Sequence, residues 1–505
     1  MKNTFTVGAF TALSRVLGLV REMLQSRFIG AGVEQSAFTL AFALPNMARK
    51  LFGEGALTAA FVPVFKGEVE AQAMDSARRL ARSVMTMAML MLVSIVAIVL
   101  LGLETVVHFR FDFELSDRAL LTIRLVKTLI PYMIFICGAA FGMGVLNAMG
   151  RFKASSAMPC LLNVFWIGIL LWICFHPELK LDQRIHRVAM AILVAGAFQM
   201  AFMLWRMHCA GITPGISFKG WKDEKVRLVW RNTAIAAMGA GAVQINYMLD
   251  QVLGQLAAPW AAGVIGYAER LMDLPLGVIG VAFGTVLLPT FAGFFSKGDV
   301  EGAREAFVSS SKQMLFVMVP AAVGLGVLAS EVTAVIYRGG AFDDVAVMRV
   351  SRAVAVYAVG LGFFGLQKSL VPWFQAQNDM KTPLRVSVWT VCMNASLNIL
   401  AVFGLPVEWR HVGLAASTVM CSACGVAFLA VAAHRRNGSL GMRRLVIPVV
   451  KMLAGSAVMT VAIFVVKRFV VLSPVIFLAV AIAVGGTAYF VSMAAMGMKG
   501  IRRKL

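Results

Sequence analysis

Arginine side chains recur inside long apolar runs of this sequence, where a cation is costly. Arg15 and Arg21 lie in the first run, and Arg49 lies in the second beside Lys50. A charged side chain at the centre of a membrane helix costs roughly 2.5–3.5 kcal/mol on insertion scales, so such residues usually serve a function. The planar guanidinium can donate two parallel hydrogen bonds to a phosphate, which a lysine cannot do. These cations predict a site for an anion that carries phosphate.

Other polar side chains accompany the arginines in four of the apolar runs. In chain order they are Ser14, Arg15, Arg21, Glu22 and Arg27; Asn46, Arg49, Lys50 and Glu54; Gln244, Asn246, Asp250, Gln251 and Gln255; and Glu269, Arg270 and Asp273. The simplest architecture lines one central cavity with these four helices. Internal ion pairs are the alternative, Arg15 with Glu22 or Arg270 with Asp273, and the charges would then only fix helix packing.

A second constellation consists of oxygen-bearing side chains. Asn394 and Asn398 are four residues apart and share a helix face, and Asp250 and Thr418 would join them if their helices touch. Oxygen ligands suit a hard cation such as Na⁺. Hydrogen bonding between helices is the alternative interpretation.

The sequence contains no strong enzyme motif. Cys421 and Cys424 match a CxxC motif but lie in an apolar run without a βαβ context, so they predict packing rather than redox chemistry. The GxGxxG spacing at 360–365 has no strand before it, and no HExxH motif occurs. A membrane-embedded transferase would need a general base or a metal held by carboxylates, and no acidic cluster of that kind stands out.

The elements that position these residues are predicted to be transmembrane helices. Hydrophobic residues make up 60% of the 505 residues and charged residues only 14%, well below the proportion of a soluble protein. Runs long enough to cross a bilayer lie near 5–29, 36–65, 83–107, 119–148, 154–175, 188–209, 228–256, 260–296, 312–337, 346–377, 383–404, 411–433, 445–466 and 474–498. The fold class is therefore all-α and polytopic, with about fourteen transmembrane helices.

The basic residues behind the net charge of +22 lie mostly in short turns, which argues against nucleic acid and for contact with anionic lipid headgroups. Alternate turns carry Lys66, Arg78, Arg79 and Arg82; Arg151 and Lys153; Lys219, Lys222, Lys225 and Arg227; Lys297, Arg304 and Lys312; Lys381 and Arg385; Arg435, Arg436, Arg443 and Arg444; and Lys499, Arg502, Arg503 and Lys504. The turns at 110–114 and 338–344 mix bases with acids. The positive-inside rule places both termini in the cytoplasm.

The sequence also contains an internal repeat. Lys66-Gly-Glu-Val-Glu70 recurs as Lys297-Gly-Asp-Val-Glu301, at an offset of 297 − 66 = 231, and each follows a Pro-X-Phe helix end. Arg151-Phe-Lys153 and Asp379-Met-Lys381 match at 379 − 151 = 228. A parallel repeat predicts a six-helix lobe at 1–218, a second at 219–440, and two additional C-terminal helices with a basic tail at 441–505.

Three stretches resemble one family closely. Ser14-Arg-Val-Leu-Gly-Leu-Val-Arg-Glu22, Leu44-Pro-Asn-Met-Ala-Arg-Lys-Leu-Phe-Gly-Glu-Gly-Ala56 and Tyr267-Ala-Glu-Arg-Leu-Met-Asp-Leu-Pro275 are similar to the MurJ/MviN family, bacterial lipid II flippases of the multidrug/oligosaccharidyl-lipid/polysaccharide exporter superfamily. The run at 277–289, Arg151-Phe, Pro159 and Asn163 continue the match. The resemblance implies that the two C-terminal helices form a groove for the lipid tail.

The resemblance also implies roles for single residues. It makes Arg15, Arg21, Arg49 and Arg270 the essential cavity arginines, with Ser14, Lys50 and Glu54 beside them. Asn46 and Gln244 complete the predicted substrate site from the polar lining. A sodium site would map to Asp250, Asn394, Asn398 and Thr418. Two positions depart from the family pattern, because Ser36 and Asn398 stand where acidic residues are expected.

The expected function is a flippase, and so a transporter rather than an enzyme. It would move undecaprenyl-pyrophosphate-linked peptidoglycan precursor from the cytoplasmic to the outer leaflet of the bacterial inner membrane by alternating access. No cofactor is expected, and coupling would come from Na⁺ or the membrane potential. Membrane lipids and other cell-wall synthesis proteins are the expected partners. Export of another polyprenyl-linked glycan or a small molecule is the alternative, although a cavity for cationic drugs would need acids rather than arginines.

Overall fold

Helices account for nearly all of the regular structure. The computed structural model describes residues 2–53, 55–109, 116–218, 223–469 and 473–498, and within these ranges it contains no β-strand. Helix is the conformation an apolar run adopts in lipid, because every backbone N–H and C=O is then bonded within the segment. Ten helical segments of the described residues are long and apolar enough to cross a membrane. The predicted all-α polytopic fold is confirmed.

The helix bounds follow the predicted spans. The first nine helices are α1 (Lys2–Ile29), α2 (Val33–Ala48), α3 (Ala56–Glu70), α4 (Met74–Phe109), α5 (Asp117–Leu129), α6 (Tyr132–Ala148), α7 (Phe152–Cys174), α8 (Leu181–Cys209) and α9 (Glu224–Ala257). The others are α10 (Ala261–Ser296), α11 (Val300–Val327), α12 (Ala329–Tyr337), α13 (Asp344–Gln375), α14 (Lys381–Gly404), α15 (Val407–Asn437), α16 (Arg443–Phe469) and α17 (Pro474–Ala495). Three predicted spans are each divided into two consecutive helices: α2 and α3, α5 and α6, and α11 and α12. When each of these pairs is counted as one segment, the described residues contain fourteen segments, the number that the sequence predicts.

Two helices begin at least nine residues earlier than the sequence predicts. Helix α4 starts at Met74 rather than 83, and α11 starts at Val300 rather than 312. The predicted spans were limited to apolar runs, whereas the charged stretches before them continue the same helices. Asp299 caps α11 by accepting a hydrogen bond from the backbone N–H of Gly302 at 2.7 Å. These two helices are therefore longer than the apolar runs they contain.

By its internal contacts the chain forms two units. The first contains Met1–Gln255 together with Gly339–Phe342, and the second contains Leu256–Arg338 and Asp343–Leu505. This division falls one helix later than the predicted boundary at 218/219, since α9 groups with the first unit. Contacts and repeat symmetry are different criteria, so the repeat-based division stays a prediction.

Each unit has an aromatic core. In the first, the indole of Trp166 packs edge-on against Phe38 and Phe42, with ring centroids 5.6 Å apart in both pairs. In the second, the indole of Trp373 meets Phe291 and Phe295 at 5.5 and 5.0 Å, and it is 1% exposed. Edge-to-face aromatic contacts add stability beyond the buried area.

The last two helices pack within the second unit. The hydroxyl of Tyr489 on α17 donates to the backbone carbonyl of Phe316 on α11 at 2.9 Å, and Lys467 on α16 pairs with Glu331 on α12 at 2.5 Å. These contacts hold α16 and α17 against α11 and α12. The predicted basic tail at 499–505 lies outside the described residues, as do residues 110–115 and 219–222.

Helix starts recur along the chain at a nearly constant offset. The starts of α2 and α10 differ by 261 − 33 = 228, those of α7 and α14 by 381 − 152 = 229, and those of α8 and α15 by 407 − 181 = 226. This agrees with duplication. The match of Lys66–Glu70 with Lys297–Glu301 is wrong as a structural equivalence, because the first lies inside α3 whereas the second spans the α10–α11 turn. The Pro-X-Phe sequences accordingly lie within helices rather than at helix ends.

Candidate anion-binding site

Arg21 of α1 is enclosed by side chains of the first unit. Its Nη1 donates to Oδ1 of Asn163 at 3.0 Å, and its Nη2 donates to Oε1 of Glu22 at 2.6 Å. The guanidinium carbon lies 4.5 Å from the centre of the Trp166 ring, a cation–π contact. Glu22 therefore pairs with Arg21.

Asn163 joins α7 to two predicted site residues of α1. Its Nδ2 donates to the backbone carbonyl of Ser14 at 3.2 Å while its Oδ1 accepts from Arg21. Ser14 is half-buried, and Arg15, its neighbour, has an exposed side chain. The face shared by Ser14 and Arg21 is thus the one that contacts α7.

A buried polar network continues from Arg21 into the core. The indole N–H of Trp166 donates to Oε1 of Gln25 at 3.1 Å, and Nε2 of Gln25 donates to Oε1 of Gln35 at 2.9 Å. Gln25 is 2% exposed. Sequence reasoning missed Trp166, Gln25 and Gln35, and it named Asn163 only as part of the family match. The sequence did contain one signal for this network, because Gln25 lies four residues after Arg21 and so shares its face of α1.

The second predicted cluster lies where α2 changes its winding. Pro45 removes a backbone donor inside α2, and a π-helical turn, Arg49–Gly53, follows. Nη2 and Nε of Arg49 both donate to Oδ1 of Asn46, at 3.0 and 3.3 Å. π-Helical turns are frequent at functional sites. Lys50 is exposed, and Glu54 lies outside the described residues.

Helix α9 contributes polar groups to the same unit. The Nζ of Lys50 lies 5.3 Å from the centre of the Tyr247 ring. Nδ2 of Asn246 donates to the carboxylate of Asp250 at 3.2 Å. Gln244 is partly buried, and its Oε1 has no hydrogen-bond partner among the described residues. Gln251 is fully buried, and its amide is likewise unsatisfied there.

Ser36, at a position where the family expects an acid, is fully buried. Its backbone carbonyl accepts from Nε2 of Gln255 at 2.5 Å, and the guanidinium of Arg118 donates to both the side chain and the backbone carbonyl of Gln255. The end of α9 is thereby fixed to α2 and α5 by neutral acceptors and one cation.

Arg270 and the amide pair lie in the second unit. Arg270 and Asp273 of α10 are both exposed, so their side chains reach the surface of that unit. Asn394 and Asn398 of α14 are 1% and 0% exposed. Thr418 of α15 donates to the carbonyl of Leu414 at 3.2 Å.

The predicted sodium ligands divide between the units, with Asp250 in the first and the other three in the second. The amide and hydroxyl oxygens suit Na⁺ chemically. Their grouping with Asp250, and the sharing of one cavity by Arg270 and the arginines of the first unit, stay predictions.

The architecture is a polytopic helical fold that solved membrane transporters share. A solved inward-facing multidrug resistance MATE family transporter of the MOP superfamily aligns with a TM-score of 0.69 over 85% of this chain and 96% of that chain, at 14% identity. A solved structure of a lipid II flippase MurJ in an inward closed conformation aligns with a TM-score of 0.79 over 97% and 98%, at 21% identity.

The chain belongs to the lipid II flippase MurJ family, whose model matches residues 25–485. A probable lipid II flippase MurJ from Rhizobium tropici is 34% identical over 406 residues, which cover 79% of this chain and 75% of the relative. A counterpart from Vibrio cholerae is 30% identical over 473 residues, covering 92% and 88%. The protein is therefore a multi-pass membrane transporter of the lipid II flippase family, and not an enzyme.

Proposed function

We propose that this protein moves lipid II from the cytoplasmic to the outer leaflet of the bacterial inner membrane, and that its arginines bind the pyrophosphate. The observation that carries the assignment to arginine is the enclosure of Arg21 by Asn163, Glu22 and Trp166. A guanidinium held in one orientation suits a planar, bidentate contact with phosphate oxygens. Arg49, held by Asn46, supplies a second oriented cation of the same unit.

The chemistry of the substrate sets what each part of the protein does. The pyrophosphate and sugars cannot enter the hydrocarbon core alone, because isolated charges are very costly to desolvate. Positive charge within the spanning segments offsets that cost while the polyprenyl tail stays in lipid. Alternating access, common in transporters built from repeats, would expose the bound headgroup to each leaflet in turn.

Depletion of the protein in its native host tests the function directly. We expect lipid-linked precursor to accumulate in the cytoplasmic leaflet and to fall in the outer leaflet, as measured by leaflet-selective labelling of the headgroup. Equal distribution between leaflets after depletion would exclude lipid II as the substrate. We propose Na⁺ or the membrane potential as the energy source, and dissipating each gradient separately in the same assay distinguishes them. Cell-wall synthesis proteins are proposed partners, because they make and use the same precursor.

The proposed orientation has both termini in the cytoplasm. It predicts that Lys66→Cys, at a side chain 57% exposed, is protected from an impermeant thiol reagent in intact cells, whereas Asp344→Cys, at one 76% exposed, is labelled. The measurement needs a cysteine-free background that still supports growth, since Cys174, Cys209 and Cys392 are exposed. Labelling of position 66 from outside would reverse the assigned topology.

A further inference from the structure

Arg21 keeps donors available even though it is enclosed. A guanidinium has five N–H groups, and side chains of the described residues accept from two of them, through Asn163 and Glu22. The other three have no acceptor among the described residues. Its side chain is only 15% exposed, so its orientation is set by neighbours rather than by water. The neighbours therefore decide where the remaining donors point.

Asn163 has its amide orientation fixed from both ends. Its Nδ2 must face the Ser14 carbonyl, because that oxygen can only accept, and its Oδ1 must face Arg21, because a guanidinium can only donate. Asn163 is itself 5% exposed. No other amide orientation satisfies both bonds, so Asn163 locates Nη1 of Arg21 relative to the α1 backbone.

Trp166 fixes the plane of the guanidinium. The ring lies under the guanidinium at 4.5 Å, and the ring itself is held by the bond from its Nε1 to Gln25 and by the edge contacts with Phe38 and Phe42. Trp166 is 4% exposed, which leaves its indole little freedom. The network from Gln35 through Gln25 to Trp166 thus ends on the face of Arg21.

We propose that Asn163 and Trp166 are positioning residues that preorganise Arg21 for a pyrophosphate, and that they set substrate affinity through Arg21 rather than by touching the substrate. This inference rests on the proposed function, in which Arg21 binds the pyrophosphate. Preorganisation raises affinity because the cost of ordering a flexible arginine is met in folding and not in binding.

Asn163→Asp is the sharpest variant. It keeps the shape and the acceptor for Arg21, but it places a carboxylate oxygen 3.2 Å from the Ser14 carbonyl, where an N–H now donates. It also adds a negative charge beside Arg21, which already pairs with Glu22. We expect the affinity of the purified full-length protein for undecaprenyl pyrophosphate to fall at least about tenfold, measured by thermophoresis with a dye label.

Trp166 variants separate the ring face from the indole N–H. Trp166→Leu removes the cation–π contact and should weaken binding by about 5- to 30-fold, whereas Trp166→Phe keeps a ring and should weaken it less. Trp205→Leu is the matched control, because Trp205 is 56% exposed and forms a cation–π contact with Arg206 at 5.5 Å elsewhere in the unit. The affinity of the Trp205→Leu variant for undecaprenyl pyrophosphate should equal that of the wild type.

A double variant distinguishes positioning from general packing. On an Arg21→Ala background, Asn163→Asp should cause no further loss of affinity, because it acts only through Arg21. A further loss, or normal binding by Asn163→Asp and Trp166→Leu beside weakened binding by Arg21→Ala, would overturn the positioning role and leave the proposed function intact. Normal binding by Arg21→Ala would instead remove Arg21 from the proposed function. Melting temperatures measured on the same samples identify any variant that binds poorly because it is unfolded.

Discussion

Arg21→Ala and Arg49→Ala are each expected to abolish support of growth in a host depleted of its own flippase, while protein abundance in the membrane stays near normal. The physical reason is loss of a charged hydrogen bond to the pyrophosphate, which costs about 2–5 kcal/mol in a poorly solvated site and weakens binding at least tens of fold. Arg15→Ala and Arg270→Ala should behave alike. The measurements are growth by complementation and abundance by immunoblotting.

Lysine at the same positions should restore function only in part. At position 21 the arginine fork reaches Asn163 and Glu22 with separate nitrogens while its plane rests on Trp166. One ammonium group supplies a point charge and cannot reproduce that arrangement. Full activity of Arg21→Lys would show that charge alone is sufficient, and would contradict the bidentate contact.

An ion pair that serves only packing predicts a different pattern. Arg21→Ala would then lower abundance by leaving Glu22, 17% exposed, without its 2.6 Å partner. The double variant Arg21→Ala, Glu22→Ala would restore abundance and transport together. In the second unit the corresponding test is the double variant Arg270→Ala, Asp273→Ala. Recovery of transport in either double variant would remove that arginine from the substrate site.

The control arginine has to be chosen from the structure. Arg436, in the last turn of α15, is unsuitable because its Nη1 donates to Asp379 at 2.6 Å, and Asp379 also accepts from Thr382 at the start of α14. Although burial raises the pKa of Asp379, the Thr382 bonds and the charge of Arg436 outweigh it and hold that pKa below its usual value. Arg435 is exposed, and its side chain forms no hydrogen bond or ion pair with another described residue, so Arg435→Ala should leave growth unchanged.

The helices were predicted well because an apolar run of about twenty residues in a membrane protein indicates a helix that crosses the bilayer. Spans predicted at 154–175 and 383–404 correspond to α7, Phe152–Cys174, and α14, Lys381–Gly404. Prediction failed where charge and helix coincide, as before α4 and α11. It failed again at Lys66–Glu70, because a five-residue match with four identical residues does not specify whether a chain continues its helix or turns.

The candidate site was predicted in part. Cations in apolar runs identified Arg21 and Arg49, since their cost in lipid marks them without any knowledge of the fold. Their partners could not be found in this way. Asn163 and Trp166 are 142 and 145 residues from Arg21 along the chain (163 − 21 and 166 − 21), and an asparagine or tryptophan in an apolar helix has several ordinary uses. Only the packing of α7 on α1 gives them a role.

Two glycines of the first unit allow close backbone approach between the end of α1 and the turn Gly339–Phe342. The backbone N–H of Ala341 donates to the carbonyl of Arg27 at 2.9 Å. Gly30 has φ +81° and Gly340 has φ +59°, and a Cβ added at either would lie well inside contact distance of a backbone oxygen, that of Ala341 or of Arg27. Neither oxygen can move away as a flexible side chain could.

Gly340→Ala is therefore expected to lower the stability of the protein strongly, through steric overlap with the Arg27 carbonyl and the loss of the Ala341 hydrogen bond, in addition to the cost of a left-handed conformation. The matched control is Gly298→Ala, which has φ +71° but open space around the added Cβ. The control should cost only about 1–2 kcal/mol from the backbone conformation. We expect the melting temperature of detergent-solubilised Gly340→Ala to fall by several times the shift of Gly298→Ala, with a matching loss of protein from the membrane. Equal shifts would mean that the turn withdraws from α1 without cost, and that the contact between Arg27 and Ala341 contributes little to the folded unit.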